Sequence, residues 1–169
     1  MMSTFIKTAG IVKESIVDGP GIRLVVFSQG CRHRCPGCHN PETHSFDGGE
    51  NIDIEDILKM MKANPLLDGI TFSGGDPFEQ ANEFAELGRK VKKLGLNVMT
   101  YTGYTYEEIM ENMDEENGWK SLLDVTDILV DGPFQIDKKS FSLRFKGSTN
   151  QRIIDINKSK KENKIILFE

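Results

Sequence analysis

Gly69-Ile70-Thr71-Phe72-Ser73-Gly74-Gly75-Asp76-Pro77 is the stretch whose reading decides the fold. Gly69 to Phe72 is a short apolar run bounded by turn chemistry, as expected of a strand buried on both faces. Ser73 to Pro77 then turns the chain into a helix predicted from about Pro77 to Leu94. Asp76 is its expected N-cap, Pro77 its first residue and Glu79 its capping-box partner. A buried strand that feeds a helix is the repeating unit of a parallel α/β sheet, so the flanking sequence is read for the same alternation.

Upstream, Ile22 to Phe27 is largely apolar and β-branched and reads as a second buried strand. Before it, Phe5 to Ile16 alternates weakly and enters the turn Asp18-Gly19-Pro20-Gly21. Asp53 caps a helix whose Ile54, Ile57, Leu58 and Met61 form an i, i+3, i+4, i+7 stripe, ended by Asn64-Pro65. Downstream, a strand is predicted over Leu96 to Tyr101 and a helix over Thr105 to Met113. After the polar break Asp114 to Gly118 come a short helix over Trp119 to Val125, a strand over Asp127 to Val130 and the turn Asp131-Gly132-Pro133. Arg152 to Ile156 and Lys164 to Phe168 read as further strands, and Lys158 to Lys164 as a solvated loop before the last of them. The order implies an α/β fold with a mainly parallel sheet.

The 169 residues are expected to form one domain over 1–169. With 26 acidic against 21 basic residues and a formal charge of −5, no dominant nucleic-acid footprint is expected. The first ten residues lack a signal-peptide core, and no apolar run approaches the ~18–20 residues of a membrane span. A soluble, cytoplasmic protein without a membrane partner is the expectation.

All three cysteines fall in Cys31-Arg32-His33-Arg34-Cys35-Pro36-Gly37-Cys38-His39-Asn40, directly after the Ile22–Phe27 strand. Three close thiols without distant partners make a poor disulfide framework and point to a metal site in a reducing compartment. Cys31, Cys35 and Cys38 converge if Pro36 and Gly37 tighten the loop. Thiolates select soft metals and iron-sulfur clusters. Either three irons of a four-iron cluster are held and the fourth left open, or a zinc ion takes His33, His39 or His44 as its fourth ligand. Ser73-Gly74-Gly75-Asp76-Pro77, taken alone, is a strand-to-helix turn with a good cap.

In this context Cys31-x₃-Cys35-x₂-Cys38 after a buried strand resembles the signature of the radical S-adenosylmethionine superfamily. The resemblance implies a [4Fe-4S] cluster whose open iron is chelated by the amino and carboxylate groups of S-adenosyl-L-methionine, and reductive cleavage to a 5′-deoxyadenosyl radical. It also implies that a Gly-Gly-acid segment meets the methionyl ammonium, which falls here on Gly75 and Asp76, with Ser73 and Gly74 supporting. Most members carry an aromatic residue just before the third cysteine. This chain has Gly37 there, with His39, one place after Cys38, as the candidate adenine neighbour.

Further segments resemble the glycyl-radical-enzyme activases: Asp18 to Arg23, Tyr101-Thr102-Gly103-Tyr104, and Leu129 to Phe134, which contains Asp131 as a cofactor-site candidate. Cys35 to Asn40 and Lys146-Gly147-Ser148-Thr149-Asn150-Gln151-Arg152 are similar to the subgroup that activates anaerobic ribonucleoside-triphosphate reductase, with lysine at 146 where that subgroup usually has arginine. The resemblance implies a partner, the reductase large subunit, which receives a glycyl radical, and flavodoxin or ferredoxin as electron donor. No catalytic residue beyond the cluster ligands is implied, so His33 and His44 are read as loop residues. The expected architecture is an open partial (β/α) barrel with a curved sheet, since a closed eight-unit barrel takes ~250 residues. An activase of another glycyl-radical enzyme, such as pyruvate formate-lyase, and a non-enzymatic zinc-binding adaptor are the alternatives.

Overall fold

The computed structural model describes residues 3–33, 35, 41–140 and 142–168. Its elements are β1 (Phe5–Ser15), β2 (Arg23–Ser28), β3 (Glu50–Asp53), α1 (Ile54–Lys62), β4 (Gly69–Gly74), α2 (Ala81–Lys93), β5 (Asn97–Tyr101), α3 (Tyr106–Asn112), α4 (Trp119–Val125), β6 (Ile128–Asp131), β7 (Arg152–Asp155) and α5 (Ile156–Glu162). They build one open seven-stranded sheet in the order β3-β1-β2-β4-β5-β6-β7. The ladders β2/β4, β4/β5 and β5/β6 are parallel. Those at the two edges, β3/β1, β1/β2 and β6/β7, are antiparallel. The sheet is therefore mixed, with its parallel character confined to the centre.

Local chemistry accounts for most elements. Asp53 accepts from the Glu55 amide at 2.9 Å and starts α1, whose Ile54, Ile57, Leu58 and Met61 are all buried, as the stripe predicts. Thr105 and Glu108 form a reciprocal capping box on α3. Along the parallel strands, alternate residues take opposite faces. Leu24, Val26, Ile70, Phe72, Val98 and Leu129 enter the main core with the helices. There Phe84, Leu87 and Val91 of α2 are fully buried, each side chain contributing about 1.5–3 kcal/mol. The other face carries a smaller cluster, Met99, Ile128 and Val130. At the amino end of that face lies Arg23, fully buried, which donates to Thr71 Oγ1 (2.7 Å) and to the carbonyls of Pro20 (3.0 Å) and Ile70 (2.8 Å). Burial pushes its guanidinium down to about 10. Thr71 in turn donates to the Asp18 carbonyl, so Arg23 and Thr71 together pin the Asp18–Gly21 turn to the sheet.

Four local expectations are corrected. Pro77–Gln80 is a 3-10 turn, and the α-helix begins only at Ala81. Asp76 caps as expected, but the Glu79 carboxylate is drawn away to Arg32 and Tyr104 instead of closing a capping box. Lys158 to Lys164 is not a loop throughout: Asp155 caps α5, and Ile156 and Ser159 are buried beneath it. Lys164 to Phe168 forms only a bridge, Ile154 to Leu167, flanked by two backbone hydrogen bonds. The short strand β3 was not foreseen, because Glu50 to Asp53 is polar and pairs only with β1. Among the described residues, no helix is long and apolar enough to cross a membrane.

Candidate active site

At the carboxyl ends of the parallel strands lies a cavity of about 500 Å³, within the range of small-molecule sites. Its floor is Phe27, Ser73, Tyr101 and Val130, one residue from each of β2, β4, β5 and β6. Phe27 pairs with Ser73, and Tyr101 with Val130. The strand-end loops supply the wall: Cys31 and Cys35 from the loop after β2, Gly74 and Gly75 from β4 and its turn, Thr102 and Gly103 from the turn after β5. Phe134, Leu143, Phe145 and Lys146 close the far side. Strand direction explains the convergence, because parallel strands deliver all their outgoing loops to one edge.

The glycines are bare for identifiable reasons. Gly74 holds φ +89°, and a Cβ there would lie 2.6 Å from the Ser28 amide nitrogen. At Gly75 a Cβ would lie 2.4 Å from the Gly30 carbonyl oxygen. Gly75 donates to the Ser28 carbonyl (2.7 Å) and Asp76 to the Gly30 carbonyl (2.9 Å), so the turn is laced onto the segment that leads into the cysteine loop.

Asp76 does not line the cavity. Its carboxylate is fully buried and accepts from the Phe78 amide (3.0 Å), the Thr102 hydroxyl (3.0 and 2.9 Å to the two oxygens), the Gly103 amide (3.0 Å) and His33 Nε2 (2.9 Å). Burial pulls the His33 imidazole down, but the bond to Asp76 and its charge outweigh this and hold it above the usual range. Asp131 is likewise buried behind the wall. It accepts from the Tyr106 amide (2.7 Å) and from Arg152 Nε (3.0 Å) and Nη2. Arg152 reaches on to Glu107, and these two carboxylates lift its guanidinium above its ordinary range.

Of the residues singled out from sequence, Cys31, Cys35, Ser73, Gly74 and Gly75 line one cavity, while Asp76 and Asp131 sit behind it as hydrogen-bond hubs. Gly37, Cys38 and His39 lie outside the described residues. Sequence reading missed Arg32 and Thr102 as anchors of this region. No spacing rule links Arg32 to Glu79, or Thr102 to Asp76, across 47 and 26 residues.

The donors suit an iron-sulfur cluster. Two soft sulfur side chains, Cys31 buried and Cys35 half-exposed, face the same cavity, with the third cysteine of the motif three residues on. His33 engages Asp76 through Nε2, and His44 lines the cavity.

A family described as "4Fe-4S single cluster domain" matches residues 17–154. The anaerobic ribonucleoside-triphosphate reductase-activating protein of Vibrio cholerae is 34% identical over 146 residues, covering 82% of this chain and 90% of that protein. That of Escherichia coli K12 is 33% identical over 144 residues, covering 80% and 90%. The pyruvate formate-lyase-activating enzyme of Clostridium pasteurianum is 39% identical over 126 residues, covering 69% of this chain, which spans only 51% of that enzyme. The 4Fe-4S match answers the zinc alternative in favour of a cluster. With the cysteine loop and the glycine turn meeting in one cavity, this chain belongs to the 4Fe-4S single cluster family and, within it, to the radical S-adenosylmethionine activases represented by the anaerobic ribonucleoside-triphosphate reductase-activating proteins.

Proposed function

We propose that this protein installs a glycyl radical on the large subunit of anaerobic ribonucleoside-triphosphate reductase. The observation that carries the reading is the shared cavity of Cys31, Cys35, Gly74 and Gly75 at the carboxyl edge of the sheet. Cys31, Cys35 and Cys38 would hold the [4Fe-4S] cluster, and the backbone of Ser73, Gly74 and Gly75 would border S-adenosyl-L-methionine. When bound, cluster and cosubstrate supply one-electron cleavage of the sulfonium and hydrogen-atom abstraction from a glycine of the partner, with methionine and 5′-deoxyadenosine as products.

The chain's own residues do the positioning. Asp76 fixes the strand-end turns around the cavity, and Asp131 with Arg152 fixes the turn after β6. Phe27, Tyr101, Val130, Phe134 and Phe145 give the cavity an apolar lining, which excludes water from a reactive centre. The open sheet is read as a partial (β/α) barrel within one domain over 1–169, its open side admitting a loop of the partner. Gly37 and His39 are assigned to the cosubstrate's adenine end. A flavodoxin or ferredoxin is the proposed electron donor, and the cytoplasm the proposed compartment.

The clostridial likeness favours a second reading, activation of pyruvate formate-lyase. The reductase is preferred because its activating proteins match over 90% of their own length. Reconstituted, reduced protein is incubated with S-adenosyl-L-methionine and either partner, and the glycyl radical is followed by electron paramagnetic resonance. A signal on the reductase is expected. A signal only on pyruvate formate-lyase transfers the function to that partner, and no 5′-deoxyadenosine in any mixture overturns the activase reading.

A further inference from the structure

Two consecutive residues of the cysteine loop, Arg32 and His33, are held by the two acids of the turn after β4. Arg32 grips Glu79 with a fork, Nε at 2.8 and 3.0 Å from its two oxygens and Nη2 at 2.6 Å from one of them. The Glu79 side chain is only 5% exposed and also accepts from the Tyr104 hydroxyl at 2.8 Å. His33 donates from Nε2 to Asp76 at 2.9 Å and packs edge-on against Tyr104, ring centroids 4.4 Å apart. Gly103 makes room for it, since a Cβ there would lie 2.5 Å from His33 Cδ2. Arg32 and His33 are thus tied by their side chains to the turn that carries Gly74 and Gly75, and through Asp76 to Thr102 and Gly103.

We propose that Arg32 and His33 form a clasp that sets the cysteine loop against the glycine turn, and that His33 is a positioning residue for S-adenosyl-L-methionine. The inference rests on the functional reading above. A cosubstrate that bridges a cluster on one loop and a backbone turn on another binds well only if the two are held in register, and charge-assisted bonds to buried carboxylates do this with little play. The clasp acts on geometry and requires no proton transfer.

The test uses reconstituted His33→Ala, His33→Gln and Glu79→Gln holoproteins. Iron and sulfide content, the spectrum of the reduced cluster with and without S-adenosyl-L-methionine, and the cosubstrate's dissociation constant are measured. His33→Ala is expected to keep its cluster, to bind the cosubstrate roughly tenfold more weakly, and to show a blunted spectral change on its addition. His33→Gln, whose amide can donate to the same carboxylate, is expected to recover most of the affinity, and Glu79→Gln to lose part of it. Wild-type affinity in fully loaded His33→Ala overturns the clasp while leaving the activase reading standing, as does a loss of affinity that only follows loss of iron. A wild-type holoprotein whose spectrum ignores S-adenosyl-L-methionine overturns the functional reading and the clasp together.

Discussion

The Tyr101 hydroxyl donates a 2.6 Å hydrogen bond to the carbonyl of Phe145, a non-glycine residue held at φ +65°. A residue at the carboxyl end of β5 thereby fixes the segment that closes the far side of the cavity. Burial pushes the Tyr101 phenol well above its ordinary range, so it remains a donor at every working pH. Tyr101→Phe is expected to cost about 1 kcal/mol in stability and to speed amide exchange around 142–147 while leaving the strands protected. Hydrogen exchange read by mass spectrometry checks this, and unchanged exchange in that segment would contradict it.

Gly75→Ala puts a methyl group 2.4 Å from the Gly30 carbonyl oxygen, next to Cys31. The backbone that carries the methyl and the carbonyl that it meets are both hydrogen-bonded in place, Gly75 to the Ser28 carbonyl and the Gly30 carbonyl to the Asp76 amide, so the strain cannot be absorbed by a rotamer change. A loss of about 1–3 kcal/mol in stability is expected, together with reduced iron after reconstitution. Thermal unfolding and iron analysis measure the two effects.

Arg152 is the charge partner of Asp131, whose side chain is 1% exposed. Arg152→Ala leaves that carboxylate buried and accepting from the Tyr106 amide without its cationic partner, and is expected to destabilise by about 1–3 kcal/mol. Asp131→Asn with Arg152→Ala should cost less than the sum of the two single changes, since each removes the same interaction. Denaturant titration of the four proteins decides this.

Asp127 supplies a pH test away from the cavity. Burial works to raise its carboxyl, but Lys92 Nζ (2.5 Å), Asn157 Nδ2 (2.9 Å) and the Val98 amide (2.9 Å) outweigh it and hold the group below the usual range. An acid depressed in the folded state contributes stability that is fully present above its unfolded pKa of about 4 and is lost as pH falls through the folded value. Asp127→Asn should therefore be less stable than wild type at neutral pH, by about 1–2 kcal/mol, and the gap should close on acidification below pH ~4. Unfolding midpoints from pH 3 to 7 test the sign, and a gap that widens toward acid would contradict it.

The sequence by itself determined what depends on neighbours within a helical turn or along a strand. Asp53 with its Ile54, Ile57, Leu58, Met61 stripe, the span Thr105 to Met113, and the span Trp119 to Val125 all carry their signals within a few residues, and each became the expected helix. The cavity's cysteines and glycine turn were legible too, because strand-loop-helix order sends such loops to one edge of a sheet.

Tertiary structure alone decided which long-range partners won. Glu79 has a local use as a capping residue, yet Arg32 and Tyr104 bind it more fully. Arg23 interrupts an apolar strand and still becomes a fully buried anchor, because backbone oxygens and Thr71 surround its guanidinium. The sequence marks Arg152 to Ile156 as a further strand but not its direction. Among the described residues its connection from β6 carries no α-helix, and the chain returns antiparallel. For Asp76 the resemblance implies an acid that meets a ligand; the fold surrounds its carboxylate with Thr102, Gly103 and His33, donors 26, 27 and 43 residues away whose approach only packing can arrange.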